Sequence, residues 1–179
     1  MLNLFLVLVM KQWMIVGLLL CSVQISFGQD IFTAARENNT EEVKQLISQK
    51  VDLNQVNDRS FTPLTIAVYN DSKEVVKVLL EAGVDLEKQD AMGNTALIGA
   101  VFKKNLTLVN WLLESGADVN RRNSNDASPL IFAVTFGTTD IVGALLRAGA
   151  DKTVKDNRGK TALDHAVLQD NKEIISLLQ

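Results

Sequence analysis

The sequence predicts an all-α solenoid of helix-turn-helix units joined by hairpin-like loops, with about five repeats. One four-residue pattern, a hydroxyl residue followed by Pro or Ala, then Leu and a variable residue, recurs every 33 residues, starting at Thr62, Thr95, Ser128 and Thr161. Alanine, leucine, aspartate and glycine each keep the same step at other positions. A period of this length is typical of stacked supersecondary units.

The first element, residues 1–28, is a leader that differs from the rest of the chain. It is almost wholly apolar, has no Asp or Glu and does not share the 33-residue period. Read from Met10, it has a short basic start, an apolar stretch over residues 13–23 and small residues at its end, which is typical of a secretory signal peptide. We expect cleavage before Gln29 and, because residues 2–9 fit this pattern poorly, translation from Met10.

Two other interpretations of the leader stay open. Residues 2–27 are long enough to span a bilayer as an uncleaved anchor, provided that Lys11 reaches the interface. Residues 18–21 resemble a lipoprotein box, although Leu20 is bulkier than the residue that usually precedes the cysteine. In all three cases the repeats are expected outside the cytoplasm, in a periplasmic, secreted or membrane-anchored protein. The sole cysteine, Cys21, lies in the leader, so no disulfide is expected in the repeats.

Two short helices are predicted in the unit at 57–89. Thr62 before Pro63 is the pattern of an N-cap followed by the first helical residue, and the small Ala67 lets neighbouring inner helices approach closely. The polar residues 70–72 end this helix. Apolar residues at i, i+3 and i+4 then predict an antiparallel outer helix, over residues 74–81, 108–114, 141–147 and 174–178 of successive units.

Glycine and aspartate follow the outer helices. The glycines lie where a helix needs a left-handed residue at its C-terminal end, at Gly83, Gly116 and Gly149. The aspartates begin the links to the next units. We expect them to make turn hydrogen bonds and not to bind calcium, because they are spread one per repeat, at Asp52, Asp85, Asp118 and Asp151.

These residues give the chain a resemblance to the ankyrin repeat family. The segments 62–64, 75–83 and 116–120 follow the family pattern nearly position for position, and the match covers about residues 29–179. The resemblance implies an ankyrin repeat domain with an N-terminal capping repeat, three full repeats and a C-terminal capping repeat, at 29–56, 57–89, 90–122, 123–155 and 156–179.

Three departures from the family pattern are expected to affect the structure. The histidine that usually follows Thr-Pro-Leu is absent, which removes a threonine–histidine hydrogen bond, and its places are taken by Thr65, Ile98, Ile131 and Asp164. Lys50 occupies the place of Gly83, where a left-handed conformation costs a residue with a side chain about 1 kcal/mol. Ser60 and Asp126 replace a turn glycine.

The resemblance also implies a binding surface for a protein partner, made of the hairpin tips and the concave side of the inner helices. By register, the candidate residues are Arg59, Phe61, Tyr69, Met92, Phe102, Lys103, Asn125, Phe136 and Arg158. Exposed aromatic side chains framed by polar residues are typical of binding hot spots. For Phe61 and Phe102, packing between repeats is the alternative, and Phe32 and Phe132 are expected in the core.

Composition argues against other classes of function. The chain has a net charge of −3, and beyond the leader 17 basic residues are scattered among 21 acidic ones, so no basic stripe for nucleic acid is expected. The repeats contain one histidine, no cysteine and no glycine-rich phosphate loop. His165 follows Asp164, but no third group completes a catalytic site by spacing. We therefore expect no catalytic residue, no cofactor and no bound metal.

The predicted function is that of a non-enzymatic, monomeric protein-binding module outside the cytoplasm. The alternative is a membrane-tethered structural or assembly factor held by an uncleaved leader. Truncation of Tyr69 or Phe136 to alanine is expected to weaken partner binding and to change stability little. The identity of the partner does not follow from the repeat pattern.

Overall fold

The computed structural model describes residues 30–179 as five pairs of helices, one pair in each 33-residue step. The pairs are α1 (Ile31–Arg36) and α2 (Thr40–Ser48), α3 (Pro63–Tyr69) and α4 (Lys73–Glu81), α5 (Ala96–Phe102) and α6 (Leu106–Glu114), α7 (Pro129–Phe136) and α8 (Thr139–Arg147), and α9 (Ala162–Leu168) and α10 (Lys172–Leu178). No strand occurs in this part of the chain. The predicted all-α solenoid is confirmed, whereas the predicted signal peptide and the start at Met10 lie outside the described residues.

Side-by-side packing of the inner helices builds the solenoid. Each of α1, α3, α5 and α7 packs on the next inner helix, and each outer helix lies behind the inner helix of its own repeat. The inner helices approach closely because the alanine series is completely buried, at Ala34, Ala67, Ala100, Ala133 and Ala166. The outer helices contribute Leu79, Leu112 and Leu145, whose full burial stabilises the fold by about 1.5–3 kcal/mol each.

The hydroxyl residue of each repeated tetrad caps the N-terminus of its inner helix, as predicted. Its side-chain oxygen accepts the backbone N–H three residues further on, at Thr62, Thr95, Ser128 and Thr161. A cap of this kind contributes about 1 kcal/mol, because it satisfies an N–H group that has no partner within the helix.

The expected loss of a threonine–histidine hydrogen bond affects only two of the four tetrads. In the first, the hydroxyls of Thr62 and Thr65 lie 3.0 Å apart, within hydrogen-bonding distance. In the last, the hydroxyl of Thr161 donates to Asp164 Oδ2 over 2.8 Å. Short polar side chains therefore take over the role of the histidine in these repeats, and the hydrogen bond is missing only where isoleucine stands, at Ile98 and Ile131.

Left-handed residues occur where the repeat pattern predicts them. The C-terminal glycines of the outer helices have φ angles of 73°, 93° and 88°, at Gly83, Gly116 and Gly149. Lys50 adopts φ 60° at the equivalent position, and Ser60 and Asp126 adopt 61° and 56° in the hairpin turns. The register of the repeats therefore imposes this conformation even on residues with a Cβ atom.

The links between repeats are held by two kinds of side-chain hydrogen bond. The predicted turn bonds are present, since Oδ1 of each link aspartate accepts the N–H two residues on, over 2.8–2.9 Å, at Asp52, Asp85, Asp118 and Asp151. A second series joins consecutive repeats: side chains of Asn54, Glu87 and Asn120 each accept the N–H of the next link aspartate over 2.8 Å. This second series was not expected from the sequence.

Candidate protein-binding surface

The inner helices and the hairpin tips line one face of the solenoid, which we call the inner face. It presents two groups of aromatic side chains. In the first group Phe61 and Tyr69 are both partly buried, with ring centroids 5.6 Å apart. The Tyr69 ring packs against α5 at Gly99, where a Cβ atom would lie 3.4 Å from two ring carbons. The missing side chain of Gly99 therefore leaves the space that Tyr69 fills.

Burial at this position affects the ionisation of Tyr69. Burial, and to a smaller extent the carboxylate of Asp90, raise the pKa of the Tyr69 phenol above its ordinary value. Both effects favour the neutral phenol. Tyr69 thus offers an uncharged ring with one polar end, the kind of side chain that is enriched in protein interfaces.

The second group is a cluster of three phenylalanines, which we call the phenylalanine cluster. The ring of Phe132 lies 6.3 Å from that of Phe102 and 4.9 Å from that of Phe136, and the latter two are 6.2 Å apart. Phe102 is 51% exposed and Phe136 46% exposed. Three rings in mutual contact and open to solvent form an apolar patch of the kind that marks interaction sites.

The expectation that Phe132 belongs to the core is wrong in part. Its side chain packs against the core but stays partly exposed. The reason is its size: two equivalent positions hold the buried Ile66 and Gly99, whereas the larger ring of Phe132 reaches the neighbouring phenylalanines and the second cleft. Phe32 likewise packs against the core while remaining partly exposed.

The turn after α7 differs from the other turns between inner and outer helices. In four repeats this turn contains a left-handed residue with φ between 51° and 57°, at Asn38, Asp71, Lys104 and Asp170. Gly137 instead has φ −82° and ψ −147°, and α7 continues through Phe136. A Cβ atom at Gly137 would lie 2.7 Å from the carbonyl oxygen of Ala133, so this path of the chain requires glycine.

Three clefts open on or beside the inner face. The first cleft, of about 460 Å³, lies between the first two repeats and is lined by Arg36, Asp58, Arg59, Phe61, Tyr69 and Asn70, among others. The second, of about 220 Å³, lies between the hairpin tips of the last two repeats, and its lining includes Asn125, Phe132, Phe136, Arg158 and His165. The third, of about 610 Å³, lies at the irregular turn and includes Phe102, Lys104, Phe136 and Gln169.

The structure places most of the nine candidate residues around these clefts. Arg59, Phe61 and Tyr69 line the first cleft, Asn125 and Arg158 the second, Phe102 the third, and Phe136 lies on both the second and the third. Met92, 62% exposed, and Lys103 are also at the surface but line none of the three.

Family comparison agrees with this architecture. Residues 31–123 match a model described as ankyrin repeats (3 copies), and residues 112–166 match one described as ankyrin repeats (many copies). The chain belongs to the ankyrin repeat family. No curated protein matches it. Ankyrin repeats are general protein–protein interaction modules, and the family is typically non-enzymatic.

His165 of this ankyrin array pairs with Asp156 and not with the adjacent Asp164. Nε2 of His165 lies 2.8 Å from Asp156 Oδ2, with side chains 17% and 9% exposed. Burial alone would raise the pKa of the Asp156 carboxyl, but hydrogen bonds from the Lys160 N–H and the His165 ring outweigh it and hold this pKa below its ordinary value. The pair therefore ties the last hairpin to α9, next to the second cleft.

Within residues 30–179 the ankyrin array contains no group of acidic, histidine and cysteine side chains that could hold a metal ion, and no helix that could span a membrane. Several lining residues were absent from the nine candidates, among them Arg36, Phe132, Lys104 and His165. Phe132 could have been found from its register with Ile66 and Gly99, whereas the position of Lys104 beside the third cleft depends on the irregular turn at Gly137.

Proposed function

We propose that the protein is a non-enzymatic module outside the cytoplasm, periplasmic or secreted, that binds a protein partner as a monomer on the concave inner face of its repeats. The observation that supports this most is the phenylalanine cluster. Two of its rings, Phe102 and Phe136, are about half exposed although they contact each other and Phe132. Ankyrin arrays bind proteins, so this patch is the best anchor for a partner.

The position of the cluster supports a protein partner over a small ligand. The second and third clefts adjoin at Phe136 and are open to solvent, and the first cleft lies at the other end of the array. A partner that contacts the aromatic groups at both ends has to be large. Aromatic rings also lose few rotamers on binding, which suits them to anchoring a protein surface.

The proposal is tested with the full chain as bait for proteins of the cell envelope or the secreted fraction. The double variant Phe102→Ala/Phe136→Ala removes the exposed rings, and we expect partners retained by the wild type to be lost. Leu177→Ala is the matched control, because Leu177 is also an exposed apolar residue but lies on an outer helix, α10. Loss of the same partners with both variants, or with neither, contradicts the proposal.

The expectation that Tyr69→Ala weakens partner binding and changes stability little requires a measurement of stability beside that of binding. Because its ring packs against Gly99 and Phe61, Tyr69→Ala is expected to reduce the free energy of unfolding more than Phe136→Ala does. Thermal unfolding followed by circular dichroism separates the two effects. Weaker binding of Phe136→Ala with an unchanged midpoint supports a contact role.

A membrane-tethered structural or assembly factor is the second candidate, and the long apolar stretch over residues 2–27 favours it. Cell fractionation with intact-mass measurement distinguishes the two. A soluble species whose mass begins at Gln29 supports the exported module. A membrane-bound species that retains residues 1–28 supports the tethered factor.

A further inference from the structure

Taken together, the three clefts are lined by more basic than acidic side chains, although the chain as a whole is acidic. Their lining contains four cationic side chains, Arg36, Arg59, Lys104 and Arg158, and two carboxylates, Asp58 and Asp156. Yet basic residues are outnumbered 17 to 21 over residues 30–179. Basic side chains thus outnumber acidic ones in the lining of the clefts, whereas the reverse holds for residues 30–179 as a whole.

The cationic groups of the clefts are available to a ligand. Among residues 30–179, the charged ends of Arg36, Arg59, Lys104 and Arg158 make no ion pair and no hydrogen bond. The carboxylate of Asp156, in contrast, is already engaged by His165 and by the N–H groups of its own hairpin. The second cleft therefore offers a guanidinium without a partner, beside a carboxylate whose oxygens already accept hydrogen bonds.

We propose that the inner face recognises an extended acidic segment of a partner protein, in which Asp or Glu residues flank apolar anchors. The apolar side chains pack on Phe61 and Tyr69 at one end and on the phenylalanine cluster at the other. The carboxylates pair with Arg36 and Arg59 in the first cleft and with Arg158 and Lys104 beside the cluster. This inference rests on the proposed function and adds the chemistry of the bound segment to it.

Charge complementarity favours this occupant over a neutral or basic one. A guanidinium binds a carboxylate through two parallel hydrogen bonds, and the pair gains strength when a partner excludes water from the cleft. A basic segment over the first cleft would place like charges beside Arg36 and Arg59 and leave both without a partner. The rings adjacent to these arginines supply the apolar contact that a simple anion would not use.

The spacing of the clefts sets the length of the segment. Neighbouring packed helices are about 10 Å apart, so the first and second clefts, which are separated by three repeat steps, lie roughly 30 Å from each other. An extended chain rises about 3.3 Å per residue. A segment of about ten residues is therefore needed to reach both clefts.

The test is a selection of displayed random peptides of about 12 residues on the full 179-residue chain. We expect the selected peptides to be enriched in Asp and Glu next to Phe, Leu or Trp. Binding of one synthetic selected peptide is then measured by fluorescence anisotropy against variants. Arg36→Gln/Arg59→Gln and Arg158→Gln are expected to weaken it roughly tenfold or more, since each removes a charge-assisted hydrogen bond, and added salt is expected to do the same.

Two controls separate charge at the inner face from charge in general. Arg147→Gln removes an exposed arginine from the outer helix α8 and is expected to leave the affinity unchanged. Arg36→Lys/Arg59→Lys keeps the charge but not the planar geometry, and is expected to recover part of the affinity. All of these residues are exposed, so none of the changes is expected to unfold the chain.

The outcomes distinguish this inference from the proposed function. If acidic peptides bind more weakly to the arginine variants and also to Phe102→Ala/Phe136→Ala, the result supports both the inference and the proposed function. If the selected peptides are not enriched in acidic residues and their binding is weakened only by Phe102→Ala/Phe136→Ala, the inference is overturned and the proposed function stands. If binding of the selected peptides is unchanged by the arginine variants and by the phenylalanine variant, the inference and the proposed function are both overturned. Equally tight binding of a single-stranded oligonucleotide to the same arginines also overturns the inference, because it would make the inner face a nucleic-acid site.

Discussion

At the scale of single residues, the repeat register imposes conformations that individual side chains do not favour. Lys50 has φ 60° at the position where the later repeats have glycine. Its Cβ atom makes this conformation less favourable by about 1–2 kcal/mol. The neighbouring hydrogen bonds still form, since the Lys50 N–H donates to Ile47 O and the Val51 N–H to Leu46 O.

Lys50→Gly is therefore expected to stabilise the protein by about 1 kcal/mol, because the lost strain exceeds the extra freedom of glycine in the unfolded chain. Urea denaturation followed by circular dichroism measures the change. Lys50→Ala, which keeps the Cβ atom, is the control and should leave the midpoint nearly unchanged. Gly83→Ala should lower it by a similar amount. A lower midpoint for Lys50→Gly would show that left-handed strain is not the governing effect.

A second prediction at this scale concerns the ionisation of Tyr69, the only tyrosine of the chain. Its raised pKa means that the folded state favours the neutral phenol. This contribution to stability is complete below the pKa of an unfolded tyrosine, about 10, and is lost as pH rises through the folded value. A titration of tyrosinate absorbance should thus give a midpoint above that of a model peptide.

Asp90→Asn is expected to lower this midpoint only partly, because burial is the larger cause of the shift. Gly99→Leu is expected to lower it further, since a large side chain would displace the ring from its position on α5. A midpoint equal to that of the model peptide in the wild-type protein would contradict the burial of Tyr69.

At the scale of elements, local signals predicted the helices well and cross-repeat packing poorly. The start of α3 could be predicted because Thr62 and Pro63 specify a cap and a first turn within the chain itself. The position of Tyr69 could not, because it depends on the empty space at Gly99, thirty residues away in sequence. The same is true of the phenylalanine cluster, where Phe132 contacts both Phe102, from the preceding repeat, and Phe136.

The links between repeats give a prediction at the scale of elements. Glu87 occupies the place of Asn54 and Asn120 in the series that accepts the N–H of the next link aspartate, and its Oε1 makes this bond. Its second oxygen, Oε2, is buried without a hydrogen-bond partner among the described residues. Glu87→Asn removes that oxygen and is expected to raise the free energy of unfolding by about 1 kcal/mol.

The matched change is Asn120→Ala, which removes the acceptor and leaves the Asp151 N–H unpaired. It is expected to destabilise the protein by about 1–2 kcal/mol. The thermal midpoints of both variants, compared with that of the wild type, measure the two changes in stability. If Glu87→Asn lowers the midpoint, the carboxylate is better solvated than its burial indicates.

At the scale of the whole molecule, each repeat is stabilised by its neighbours and not by one central core. The central helices have a neighbouring pair on both sides, whereas among residues 30–179 the pair of α9 and α10 packs on one neighbouring pair, α7 and α8. The consequence is visible at one register: Val68, Val101 and Val134 are buried, whereas Val167 is 57% exposed. Stability is therefore expected to fall towards the last repeat.

Hydrogen exchange tests this gradient. Backbone amides of α10 are expected to exchange at least roughly tenfold faster than those of α6, because opening the last pair breaks one interface between repeats and opening a central pair breaks two. The variants Val101→Ala and Val167→Ala make the same chemical change at equivalent positions. Val101→Ala should accelerate exchange in α5 and its neighbours, since it leaves a cavity in a fully buried site. Val167→Ala should change little, and equal effects of the two variants would show that the array unfolds as a single cooperative unit.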